Sequence, residues 1–190
     1  VVHVLERARK LGAQQIHVVV GHGAEAVEAT VSAGDVQCHL QAEQWGTGHA
    51  VQQAIDACPA DSTVLVLFGD VPLIAEQTLR EVVSAAEAGV AMLSANLENP
   101  SGYGRVERDP QGEFIAVVEE QDATEAQRQL TEINTGVLAS NADALKNWLA
   151  RVDNQNAQSE FYLPDVLGLA RLDGEVVTVV CSDNVFDTLG

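Results

Sequence analysis

The chain has 190 residues, 46% of them hydrophobic, and carries 28 acidic against 10 basic side chains for a formal net charge of −18. That length suits one domain with a full core, and the acid excess repels nucleic-acid phosphates, which excludes a DNA- or RNA-binding module. No apolar run reaches the ~20 residues that span a bilayer, and the opening VVHVLERARK sets charges where a signal peptide needs its apolar core.

Val1, Val4, Leu5, Ala8 and Leu11 recur at helical spacing, and Gly12 closes the run. IHVVV (16–20) predicts a buried-type strand ending at Gly21-His22-Gly23, followed by a helix over 24–33 and a shorter strand, VQCHLQ (36–41). From Thr47 to Cys58 the apolar positions Ala50, Val51, Ala54, Ile55 and Cys58 again fit a helix, stopped by Pro59. TVLVLF (63–68) is the strongest strand. Such a continuous apolar run belongs to a sheet covered on both faces, which implies parallel pairing. Leu79, Val82, Val83 and Ala86 make the next helix face, ended by Gly89, before a strand at 90–97. To this point strand and helix alternate with short connections, the pattern of a doubly wound α/β sheet.

The rhythm then changes. GRVERDPQGEFIAVVEE carries two strand-like runs around the β-turn Asp109-Pro110-Gln111-Gly112. We read an antiparallel excursion over about 98–135. ATEAQRQL predicts a short helix, INTGVLA (133–139) a strand, and Leu145, Trp148, Leu149 and Val152 a helix face. Leu163, Val166, Leu167 and Ala170 predict the last helix, and VVTVVC (176–181) the final strand. The expected fold is a single α/β domain with a Rossmann-like doubly wound mixed sheet. The chain opens on a helix with no strand before it and closes on NVFDTLG without a finished element. On organisation alone, an ordinary helical start and a piece lacking its first strand read equally well.

In doubly wound sheets ligands sit beyond the carboxyl ends of the strands. Gly69-Asp70-Val71-Pro72 follows the strongest strand. A carboxylate leaving an apolar strand is costly unless paired or metal-bound, so Asp70 is either a turn cap or a ligand for Mg²⁺, a hard ion that prefers oxygen donors. After the strand at 36–41, QAEQWGTGHA opens a helix, with Thr47 available to cap it and Gly46 and Gly48 leaving backbone amides open. This is either only a turn or a surface that receives a ligand. It is neither GxGxxG nor a P-loop. Gln41 offers an amide that can donate and accept together, matching the edge of a pyrimidine. SGYGR reads as a Gly-rich loop, while Glu119 and Asn134, near strand ends, are either solvated polar residues or sugar-hydroxyl binders. The five histidines show no clustering, and His49 reads as polar surface. Cys38, Cys58 and Cys181 are far apart, odd in number and without metal-ligand spacing, as expected of small buried hydrophobes in a reducing compartment.

Together QAEQWGTGHA, FGDVPLI, SGYGRV, VVEEQDAT, EINTGVL and NAQSEFYLPD, in this order and spacing, resemble the uridylyltransferase domain of the bacterial N-acetylglucosamine-1-phosphate uridylyltransferases. Enzymes of that family are usually bifunctional, with a glucosamine-1-phosphate acetyltransferase domain behind. The resemblance covers nearly the whole chain. It implies a fold of the nucleotide-diphospho-sugar transferase type and a Mg²⁺-dependent, cytoplasmic enzyme of cell-wall precursor synthesis. The reaction would join UTP and N-acetylglucosamine 1-phosphate into UDP-N-acetylglucosamine with release of pyrophosphate. Carried over position by position, Gln41, Gly46 and Thr47 would contact the uridine, with Gln41 reading uracil. Phe68, Gly69 and Asp70 would line the nucleotide and sugar side, Asp70 acting in catalysis as the Mg²⁺ ligand. Gly104, Glu119 and Asn134 would hold the N-acetylglucosamine moiety. The family usually has Tyr where Phe68 stands.

The resemblance also sets expectations where the chain departs from it. The family's first strand and Gly-rich loop, with the Arg and Lys that grip the phosphates, have no counterpart here, nor has a later Asn that completes the metal site. The expectation is therefore a partial domain with little turnover of its own. No hexapeptide repeat of the acetyltransferase β-helix, through which the family's homotrimer is built, is present. The competing readings are a related nucleotidyltransferase for another sugar or base, and a non-catalytic sugar-nucleotide-binding module. A dehydrogenase domain would need GxGxxG after a first strand.

Overall fold

The computed structural model describes residues 1–31, 34–71 and 73–182. Helix α1 (Val2–Leu11) buries Val4 and Leu5 and ends at Gly12, whose left-handed φ of 85° lets its amide reach back to the carbonyls of Ala8 and Arg9. Strands β1 (Ile16–Val20) and β2 (Val36–Leu40) pair in parallel, from Ile16 opposite Val36 to Val20 opposite Leu40. The crossover between them holds α2 (Ala24–Val31); the rest of the helix expected over 24–33 lies outside the described residues. One face of this pair closes a small core of Ile16, Val18, Val36 and Cys38 against Leu5, Ala8, Val27 and Val31. Helix α3 (Thr47–Ile55) also packs on β1 and β2.

Six further strands form a mixed sheet: β3 (Thr63–Val66), β4 (Gly89–Asn96), β5 (Arg105–Arg108), β6 (Phe114–Val118), β7 (Glu132–Asn141) and β8 (Val176–Ser182). Their order is β6-β5-β7-β4-β8, with β3 also paired to β7. Strand β4 runs antiparallel to β7 and parallel to β8. The expected turn at 109–112 joins β5 and β6 into a hairpin, with Gly112 donating to Asp109 O at 2.9 Å. Asp109 Oδ1 accepts from the amides of Gln111 and Glu113. Among the described residues no ladder joins β1–β2 to this sheet.

Helices cover both sheet faces, as alternation predicts. On one side α3, α6 (Ala142–Leu149) and α7 (Asp165–Leu172) enclose Ile55, Met92, Leu138, Leu145, Trp148, Leu163 and Leu167. On the other, α4 (Glu76–Ala85) sets Leu79 and Val82 over Ala91, Leu93 and Val137. Between β6 and β7 lies the single turn of α5 (Glu125–Arg128), held by a Thr124–Gln127 capping box.

Three expectations need correction. β3 is not in a parallel pair: it runs antiparallel to β7, Thr63 opposite Asn141 and Val66 opposite Leu138. Its apolar run did report double coverage, since Val64 and Val66 face one core and Leu65 the other, but coverage does not determine the partner's direction. The cysteines are not all buried, because Cys181 is exposed. The histidines are not all dispersed: His17 and His39 meet ring to ring at 2.9 Å, because adjacent parallel strands bring residues of one face together.

Candidate active site

Strand β3 ends at Val66, so Leu67 to Asp70 leave the ladder at the sheet's edge. Beside them β7 bulges. Met92 of β4 faces Leu138 and Ser94 faces Asn134, so Leu93 alone lies opposite Thr135, Gly136 and Val137. Gly136 adopts φ 84° and donates to Asn134 Oδ1 at 2.9 Å, and Thr135 Oγ1 donates to Leu93 O at 2.8 Å. The bulge lets the Phe68 ring lie on the Gly136 backbone, where a Cβ would fall 1.6 Å from the ring. The sequence reading took 133–139 for a regular strand; a glycine inside the run was the available signal.

A cavity of about 360 Å³ opens there. Phe68, Asp70, Gly104, Glu119, Asn134 and Thr47 all line it, and so do Tyr103, Gly136 and Pro164, to which the sequence reading gave no role. Gly104 is required by close approach, since a Cβ would come within 2.9 Å of the Glu119 carboxylate. Its carbonyl accepts from the Asn134 amide at 2.8 Å. Behind this loop the Arg105 guanidinium, 2% exposed, pairs with Glu120 at 2.7 Å and donates to the carbonyls of Tyr103, Leu130 and Arg128. A buried cation with four acceptors holds the loop rigidly against α5.

The wall near α7 is acidic. Burial, then the charges of Asp165 and Asp122, push the Glu119 carboxyl above its usual range, against the pull of Arg105. Burial, then Asp153 and Asp122, raise Asp165 to about 6. Tyr162 donates to Asp122 at 3.2 Å, and its hydroxyl is likewise pushed up, chiefly by burial. Asp70 differs: it is exposed. The argument that a buried carboxylate demands a metal therefore fails for Asp70, because the chain has left the apolar sheet before reaching it. Among the described residues no group of three or more His, Cys, Asp or Glu is arranged to hold a metal.

A second, more open cavity of about 410 Å³ is lined by Gly21, His22, Gln41, Gln44, Gly46, Thr47, Ala50 and Glu160. Thr47 lines both cavities and so forms a wall that they share. Gly69 lines neither; it is exposed, and a Cβ there would face Val1.

The glycines of GTG have a structural duty the sequence did not show. Gly48 donates its amide to Phe161 O at 2.7 Å, and Phe161 donates to Trp45 O at 2.7 Å. A Cβ on Gly46 would sit 2.7 Å from Phe161 O, and one on Gly48 2.9 Å from the same atom. Thr47 makes no cap bond to α3; its Oγ1 accepts from the Leu163 amide at 3.0 Å. The reading of Thr47 as a helix cap and of the Gly48 amide as open is thus corrected: the chain at 160–163 takes both groups. His49 is not plain surface either. It is half-buried between Trp45 and Phe161, with ring centroids at 5.0 and 6.3 Å.

A mixed sheet covered by helices on both faces, beside a parallel β1–β2 pair, with cavities that meet at Thr47, has the nucleotide-sugar transferase fold. Two solved structures share it: a putative glucose-1-phosphate thymidylyltransferase from Bacillus anthracis in complex with a sucrose (TM-score 0.75, 14% identity, covering 96% of this chain and 73% of that one), and a UDP-glucose pyrophosphorylase complexed with UDP-glucose (TM-score 0.76, 13% identity, covering 93% and 76%). Residues 1–123 match the MobA-like NTP transferase domain, and the chain belongs to that family of nucleotidyltransferases. It matches the N-terminal region of the bifunctional protein GlmU of Marinobacter nauticus, with 48% identity over 99% of its length, and spans 42% of that relative.

Proposed function

We propose that the two cavities together bind a uridine sugar nucleotide, and that the chain serves transfer of a uridylyl group from UTP to N-acetylglucosamine 1-phosphate. The observation that carries this reading is the shared wall at Thr47. It sets a cavity lined by the buried Gln41 beside one lined by Asp70, Glu119 and Asn134. An elongated ligand with a base at one end and a sugar at the other suits such a pair.

In the reaction, an oxygen of the sugar 1-phosphate forms a bond to the α-phosphorus of UTP. The bond from that phosphorus to its bridging oxygen breaks, and pyrophosphate leaves. Such a displacement needs positioning and charge stabilisation more than a protein base. Gln41 would meet the base, and Phe68 and Gly136 would form the apolar floor. Glu119 and Asn134 would take the sugar hydroxyls. Asp70, exposed at the cavity edge, fits Mg²⁺, which needs only one or two carboxylates when phosphates and water supply the remaining oxygens. When bound, the ion would supply charge neutralisation at the phosphates.

The test is calorimetric titration of the chain with UDP-N-acetylglucosamine, with and without Mg²⁺, beside Asp70→Asn. We expect Mg²⁺ to strengthen binding by about tenfold or more in the parent chain and by little in the variant. Equal Mg²⁺ dependence in both removes Asp70 from its role, and failure to bind under any condition removes the proposal. Parallel titrations with UTP, dTTP and CTP separate uridine from other bases.

A further inference from the structure

Gln41 is 9% exposed, and its side chain lines the second cavity. Its amide nitrogen has two acceptors, Gly46 O at 3.1 Å and His49 Nδ1 at 2.9 Å. A primary amide has two hydrogens on that nitrogen, so both are used. The Gly46 carbonyl can only accept, which favours the nitrogen over the oxygen at that place, and an acceptor at His49 Nδ1 adds to that preference. Among the described residues no donor meets Gln41 Oε1. The glutamine therefore cannot both donate to and accept from a ligand, as its bare chemistry suggested. It can only accept.

His49 makes this orientation possible. Neutral imidazole has one lone pair. If Nδ1 carried the proton, it would face the Gln41 amino group donor to donor and favour the flipped amide. The Gln53 amino group lies 3.2 Å from the opposite ring nitrogen and competes for the lone pair. Each amino group also donates to a backbone carbonyl, Gln41 to Gly46 O at 3.1 Å and Gln53 to His49 O at 2.9 Å, but Gln41 makes the shorter ring contact, 2.9 Å against 3.2 Å, and is the more buried of the two, so it takes the lone pair. The Trp45 and Phe161 rings, with centroids 5.0 and 6.3 Å from that of His49, pack against it.

We infer that His49 is a positioning residue that holds the Gln41 carbonyl toward the ligand, so that the cavity selects bases with hydrogen on the contacted ring nitrogen. The imide N3–H of uracil or thymine satisfies that carbonyl. Cytosine presents a lone pair at N3 and meets it oxygen against nitrogen, leaving a buried acceptor unpaired. This inference rests on the nucleotide reading above and adds the origin of its base selectivity.

The full chain is titrated in Mg²⁺ with UTP, CTP and 3-methyl-UTP, in which a methyl replaces the imide hydrogen. The parent chain should bind UTP at least about tenfold tighter than either of the others. His49→Leu, which has no acceptor, should narrow the UTP:CTP ratio about tenfold with little change in melting temperature. His49→Asn should restore it, because asparagine Oδ1 occupies the place of histidine Nδ1. Nitrogen-15 NMR of the unliganded parent chain should find the His49 proton on Nε2, a measurement that needs no variant to fold. A proton on Nδ1, or an unchanged ratio in folded His49→Leu, overturns this inference while leaving the nucleotide reading intact. A parent chain that binds no nucleotide overturns both.

Discussion

Replacing Gly46 with alanine separates two explanations of GTG: room for a ligand, or room for the chain's own backbone. At φ 103° and ψ 177° Gly46 sits in a region essentially reserved for glycine, where a side chain costs on the order of 1–3 kcal/mol. The new methyl would lie 2.7 Å from Phe161 O and 2.9 Å from both Phe161 N and Glu160 Cβ. The backbone at 160–161 must then retreat. Doing so stretches two bonds of 2.7 Å, Gly48 to Phe161 and Phe161 to Trp45, each contributing about 0.5–1.5 kcal/mol. The sum is about 2–6 kcal/mol, a large share of the ~5–15 kcal/mol that holds a typical domain. For a chain of this size it corresponds to a loss of roughly 10 °C in melting temperature. Thermal and urea unfolding of the unliganded chain, followed by circular dichroism, measures it. If Gly46→Ala melts within about 2 °C of the parent, the close approach of Phe161 is not what requires glycine here, and the argument fails.

Asp165, half-buried, titrates at about 6 in the folded chain against 3.8 when free. Between those values the unfolded chain releases a proton that the folded one keeps, so stability falls as pH rises through that window and stays lower above it. After discounting for the water that reaches the side chain, Asp165→Asn should gain on the order of 1–2 kcal/mol at pH 7.5 and almost nothing at pH 4, read as melting temperatures at both. Arg105→Met should cost about 1–3 kcal/mol, because it takes the donor from three carbonyls while Glu120 can turn to water; urea unfolding checks this, and a loss below about 0.5 kcal/mol would show that the guanidinium is not the anchor.

Much of the architecture was legible because each helix and strand carries its own period and its own stop. Gly12 and the turn at 109–112 mark ends by local chemistry alone, and Leu145, Trp148 and Leu149 announce a buried helix face. The direction of β3 was not legible, since an apolar run reports what covers it and not which way its neighbour runs. The bulge at 135–137 was hinted at only by Gly136. The GTG glycines were legible as unusual but not as to cause. Their partner, Phe161, lies more than a hundred residues away, and no local pattern encodes a contact of that range. That the Gln41 amide matches a pyrimidine edge was legible from its chemistry, whereas seeing that its nitrogen is already taken needed Gly46 and His49 in space.

The bond from Leu163 to Thr47 spans 116 residues. Closing so long a loop is entropically expensive and is delayed until the intervening segments are compact. The cavity lined by Gln41 and Thr47 therefore cannot mature from the N-terminal β1–β2 unit alone. It waits for the antiparallel excursion and for the chain leading into α7. Both cavities are thus completed late in folding, and any opening that frees residues 160–163 disturbs the two at once, since Glu160 lines one and Leu163 the other.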